Sequence, residues 1–99
     1  MATFTNDRIG LSFELPDRLS VREQLHFRIA VAAADDTNWL IRYWEAAQPL
    51  LGNWQCEALP DPAALDLDTA DDPALTNIVQ WTANAVAGFM LQLETPAKN

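Results

Sequence analysis

Basic side chains are scarce in this 99-residue chain, where six Lys and Arg stand against fourteen Asp and Glu for a formal charge of −8. That balance repels phosphate backbones and anionic lipid, so direct binding to nucleic acid or to a membrane surface is not expected. Histidine and cysteine are scarcer still, with one of each, His26 and Cys56. A lone cysteine forms no internal disulfide, and a lone histidine leaves no histidine pair for a metal. The three glycines, Gly10, Gly52 and Gly88, are too scattered to build a phosphate-cradling loop. No run approaches the ~18 apolar residues of a membrane span. Residues 1–8 lack the basic segment and apolar stretch of an export signal. A reducing cytoplasm is the expected compartment.

What the chain does have is apolar material: 49% of its residues are hydrophobic and four are Trp. A chain of this length buries roughly 65% of its unfolded surface, which is enough for one domain with a modest core. Charge is unevenly placed. Residues 1–42 hold five of the six basic groups with six acids, and no basic side chain lies between Arg42 and Lys98. Six acids fall between Glu57 and Asp72, in a stretch that also carries Pro60 and Pro62. That stretch reads either as a solvated loop or as a docking surface for a basic partner.

Alternation of Ile9, Leu11, Phe13 and Leu15 with small or polar residues predicts a half-buried strand. Thr3-Phe4-Thr5 before the Asn6-Asp7 turn is a candidate hairpin partner. Ser20-Val21-Arg22-Glu23 reads as a capping box that opens a helix over residues 21–34, with Val21, Leu25, Ile29 and Ala32/Ala33 on its core face. A second helix spans residues 38–48, with Leu40, Tyr43, Trp44 and Ala47 as its inner stripe and a stop or kink at Pro49. Gly52-Asn53 closes that segment, and Trp54 folds over the core edge. Asp61-Pro62 predicts one short helical turn. Asp72-Pro73 opens the clearest amphipathic helix, over residues 73–93, with Leu75, Ile78, Val79, Thr82, Val86, Phe89, Met90 and Leu93 on one side. The expected fold is mainly α: a single domain of three principal helices with a short N-terminal β-hairpin or strand. Its expected segments are a β element (1–16), a helical pair (17–54), an acidic loop (55–72), a long helix (73–93) and a tail (94–99).

Catalytic patterns fail in turn. Ser20 is explained by capping and Ser12 by strand alternation. Cys56 lies beside Glu57 with no basic neighbour to activate it. The Asp66–Asp72 run resembles a calcium loop only superficially. Asp71 stands where the sixth-position glycine belongs, and Asn77 where the bidentate glutamate belongs. No enzyme activity, metal or cofactor is expected. Trp81 is two residues beyond Val79, about 200° around the helix. With Ala85 and Gly88 it forms a second apolar patch, to be covered either by the N-terminal strand or by another protein. The candidate partner-binding residues are Trp39, Trp81, Ala85 and Gly88 on the helices. Asp66, Asp68, Asp71 and Asp72 join them from the acidic loop.

Several motifs together carry a family likeness. They are Leu15-Pro16-Asp17-Arg18-Leu19-Ser20-Val21, Arg42-Tyr43-Trp44-Glu45-Ala46-Ala47, and Trp54-Gln55-Cys56-Glu57-Ala58-Leu59-Pro60-Asp61. With Asp66-Leu67-Asp68, Asp72-Pro73, Ile78-Val79-Gln80-Trp81 and the ending Pro96-Ala97-Lys98-Asn99, the sequence resembles the tail assembly chaperones of long-tailed bacteriophages. The resemblance implies a small non-catalytic protein of the host cytoplasm, absent from the mature virion. It implies binding to the tape-measure protein and recruitment of tail tube protein; self-association is a separate expectation, from the apolar patch around Trp81. The competing expectation is a small acidic inhibitor that mimics nucleic-acid charge and blocks a nucleic-acid-binding protein. Salt separates the two, since a charge mimic loses affinity steeply as salt rises and apolar contacts do not.

Overall fold

The computed structural model describes residues 2–94. The hairpin forms where alternation places it: β1 (Ala2–Asn6) and β2 (Leu11–Leu15) pair antiparallel, with Phe4 opposite Phe13. Gly10 closes the turn at φ 64°, a left-handed conformation that a Cβ disfavours. The Asn6 side chain accepts a bond from the Arg8 N–H. Ile9 lies in this turn and not in the strand.

The capping box is present as read. Ser20 Oγ accepts from the Glu23 N–H at 3.1 Å, and the Glu23 carboxylate accepts from the Ser20 N–H at 2.9 Å. It opens α1 (Val21–Ala32). A tight turn follows in which Asp35 accepts from both the hydroxyl and the N–H of Thr37 and from the N–H of Asn38. The Thr37 hydroxyl, followed by its N–H, holds the exposed Asp35 carboxyl below the ordinary aspartate range. Asn38 makes no side-chain cap to the next helix; its amide oxygen instead accepts from the Asp35 N–H. The second helix, α2 (Trp39–Ala47), stops before Pro49, and a 3₁₀ turn over Gln48–Leu50 tucks Leu50 into the core.

Here the fold departs from the expected mainly α architecture. Gly52–Cys56 is a third strand, β3, which pairs antiparallel with β2 to give a sheet of order β1-β2-β3. The molecule is therefore α+β. β3 also crosses the expected boundary at residues 54 and 55 between the helical pair and the acidic loop. Gly-Asn-Trp-Gln-Cys contains no β-branched residue, and pairing with β2 overrides its weak intrinsic preference. The register shifts by one residue opposite Phe13, where Asn53 adopts φ 47°. This is a bulge, and Asn is among the few residues that tolerate a left-handed backbone there. The bulge sends the Asn53 amide to the Glu14 carboxylate at 2.7 Å and turns Trp54 onto Phe13.

Residues 57–72 fold back along the helices. Leu59 is buried, Leu65 and Leu67 are half-buried, and the alternating Asp66 and Asp68 face outward. The Leu59 carbonyl accepts from the Trp54 indole N–H at 2.7 Å. Asp61 and Asp72 each cap a following turn, the second being the start of α3 (Pro73–Glu94). Ile78, Thr82, Val86 and Met90 of α3 are buried as its spacing implies, and Leu75, Val79 and Phe89 are half-buried. The Leu93 side chain and the Pro96-Ala97-Lys98-Asn99 ending fall outside the described residues.

One face of the sheet is apolar and meets the helices through aromatic rings. Phe13 carries the rings of Phe4, Trp54 and Trp81, all with centroids within 5.8 Å. Phe4 also meets Phe89, and Trp54 meets Trp44. On the opposite face Thr3, Thr5 and Gln55 are exposed beside Ser12 and Glu14, so that face needs no cover.

Candidate functional site

The expected core face of α1 is its solvent face. Val21 is 71% exposed, Leu25 51% and Ile29 70%, and Ala32 and Ala33 are exposed with them. Phe27, about 200° around the helix from Leu25, is the buried residue. Its ring meets Tyr43 edge-on at 5.7 Å. Both sides of α1 are apolar, so periodicity alone had two answers. The larger aromatic surface of Phe27 gains more from burial than a single aliphatic chain does. The exposed stripe is bordered by Arg22 on one side and Arg28 on the other, each about 60° from Leu25. The Glu23 carboxylate is held at the helix start by its capping bond.

A second apolar surface lies between α2 and α3. Leu40 and Ile41 on α2 face Leu75 and Val79 on α3 across a groove of about 240 Å³, with Leu65 and Leu67 contributed by the acidic loop. Ile41 is 46% exposed there. Asp72 stands on the rim, and Asp66 and Asp68 point outward beside the lining leucines. Arg42, next to Ile41 in the chain, is drawn toward Glu45 at 4.0 Å.

The sequence-derived candidates separate. Trp81 is half-buried with its ring edge-on to Phe13, so the sheet covers the patch that its position on the helix left open. Ala85 is half-buried with it, whereas Gly88 is exposed and a side chain there would meet open space. Trp39 is half-buried and perpendicular to Tyr43, on the side of α2 that faces α1. Asp66, Asp68, Asp71 and Asp72 are all exposed, but Asp66 is tied to the Asp68 N–H and Asp72 to the Ala74 N–H. The residues that sequence reasoning missed are Val21, Leu25, Ile29 and Ile41. The signal available for the first three was Phe27, a ring placed opposite a stripe that two arginines border.

His26 is exposed on α1, and Cys56 is buried at the β3 position opposite Leu11. Among the described residues no three of His, Cys, Asp and Glu gather where they could hold a metal ion. No helix of the described residues is long and apolar enough to cross a membrane. Comparison of the chain with protein-family models, with curated proteins and with solved structures finds no match.

Proposed function

We propose that this protein is a non-catalytic binding module whose α1 face shields an apolar helical segment of a partner protein. The observation that carries this reading is the stripe of Val21, Leu25 and Ile29, which stands in solvent although the same chain buries a complete core elsewhere. Contiguous exposed aliphatic residues with charged borders mark contact surfaces. With the resemblance in its sequence, the reading becomes a phage tail assembly chaperone of the host cytoplasm. It would cover apolar stripes of the tape-measure protein and give way to tail tube subunits. Handover of that kind suits moderate contacts that exchange readily.

The test is calorimetric titration of a helical tape-measure fragment into the wild-type protein and into Leu25→Gln/Ile29→Gln. Both substituted residues are solvent-facing, so the fold is retained. The expected result is about a tenfold or greater loss of affinity in the variant, with little dependence on salt. Unchanged affinity in the variant overturns the assignment of the face. A steep salt dependence that follows substitution of Asp66, Asp68 and Asp71 favours the nucleic-acid mimic instead.

A further inference from the structure

The two exposed apolar surfaces lie on opposite flanks of the molecule. Tyr43 and Trp39 mark the side of α2 that receives α1, and Ile41 stands about 200° around α2 from Tyr43. The groove therefore opens away from α1, and the stripe of α1 points away from α2. Neither surface can cover the other within one chain, but each can meet the other's counterpart on a second copy.

We propose that copies of this chain associate head to tail, with the α1 stripe of one copy seated in the α2–α3 groove of the next. Charge selects this pairing. The stripe is bordered by Arg22, and the groove is rimmed by Asp72, in a stretch where no basic residue lies between Arg42 and Lys98. Opposite borders around two apolar surfaces attract and set orientation. The alternative two-fold pairing of α1 with α1, antiparallel and centred on Leu25, places Arg22 of both copies along one edge of the contact and leaves the acidic rim of the groove unused, so charge favours it less. Space is adequate as well. An apolar cavity of about 150 Å³ accommodates benzene, so a groove of about 240 Å³ takes the side chain of Leu25 or Ile29 and leaves room for its neighbour. Because the two surfaces differ, the contact is heterologous and propagates into a chain or closes into a ring. A partner helix on α1 competes with the groove of the next copy, and this couples partner binding to disassembly. The inference does not depend on the identity of that partner.

Sedimentation of the full chain over a wide concentration range tests it. Wild type is expected to rise above its 11.0 kDa monomer mass as concentration increases, and less so at high salt. Leu25→Gln/Ile29→Gln blocks the stripe and Ile41→Gln blocks the groove, so each variant alone is expected to remain monomeric. Mixed in equal amounts, they retain one good surface of each kind and should form a 1:1 dimer and nothing larger. A wild-type chain that stays monomeric throughout overturns the proposal. So does association of either variant alone, which is what a two-fold stripe–stripe or groove–groove interface would give, and so does a mixture that stays monomeric while wild type associates. Partner binding measured on Ile41→Gln, which keeps the stripe intact, tests the proposed function separately.

Discussion

Thr82 is wholly buried in α3, and its hydroxyl is the side-chain group among the described residues that is buried without a hydrogen-bond partner. A hydroxyl taken out of water and left unpaired costs about 1–3 kcal/mol. Valine has the same branched shape without that cost, and its helix propensity is close to that of threonine. Thr82→Val is therefore expected to stabilise the protein by about 1 kcal/mol, read as a higher denaturant midpoint with an unchanged slope. A lower midpoint would show that the hydroxyl is satisfied. Sequence pattern placed Thr82 on the inner stripe correctly. It could not place the donor or acceptor that the hydroxyl lacks, because that depends on which carbonyls the neighbouring elements bring near.

At the scale of elements, local rules worked for most features whose decisive contacts are local, the exception being Asn38, whose side chain does not cap α2. The capping box, the turn capped by Asp61, the start of α3 at Asp72-Pro73 and the β1–β2 hairpin are all set within a few residues, and all are present. Ser20→Ala removes the acceptor for the Glu23 N–H and is expected to cost about 1 kcal/mol. The cost falls on the element that displays the stripe, so amide exchange in the first turn of α1 should accelerate more than exchange in α3. Equal acceleration throughout would mean that α1 opens only with the whole domain. Where distant contacts decide, the pattern fell short. β3 exists because β2 offers it a ladder, and its bulge at Asn53 breaks the alternation by which strands are recognised. The α1 face was reversed because Phe27 and the aliphatic stripe compete for burial, and only the ring of Tyr43 settles which side wins. Both candidate surfaces follow from that reversal and from the fold of the acidic loop, so neither was legible as a site. Its components, a stripe between two arginines and leucines alternating with aspartates, were legible as patterns.

On the scale of the whole molecule, Phe13 is the point at which the layers meet. Its ring touches β1 through Phe4, β3 through Trp54 and α3 through Trp81. Trp54 passes the contact on to Trp44 of α2. A three-stranded sheet draws its stability from burying its apolar face, and here that face is covered by the helices through the rings on Phe13. Sheet and helices should therefore fold as one cooperative unit. Trp81→Ala tests this, because it removes the α3 side of the junction and leaves α1 and both candidate surfaces untouched. A fully buried Trp→Ala costs about 3–5 kcal/mol, so for this half-buried ring about 2–3 kcal/mol is expected, similar to Val86→Ala on the inner stripe. The loss should appear at one midpoint in both far-ultraviolet ellipticity, which reports the helices, and the backbone amide resonances of β2, which report the sheet. Leu25→Gln, by contrast, should leave that midpoint within about 0.5 kcal/mol of wild type, as surface substitutions do. If Trp81→Ala were as mild as Leu25→Gln, Trp81 would belong to the surface. If the two probes parted, the sheet would be a satellite and not half of the core.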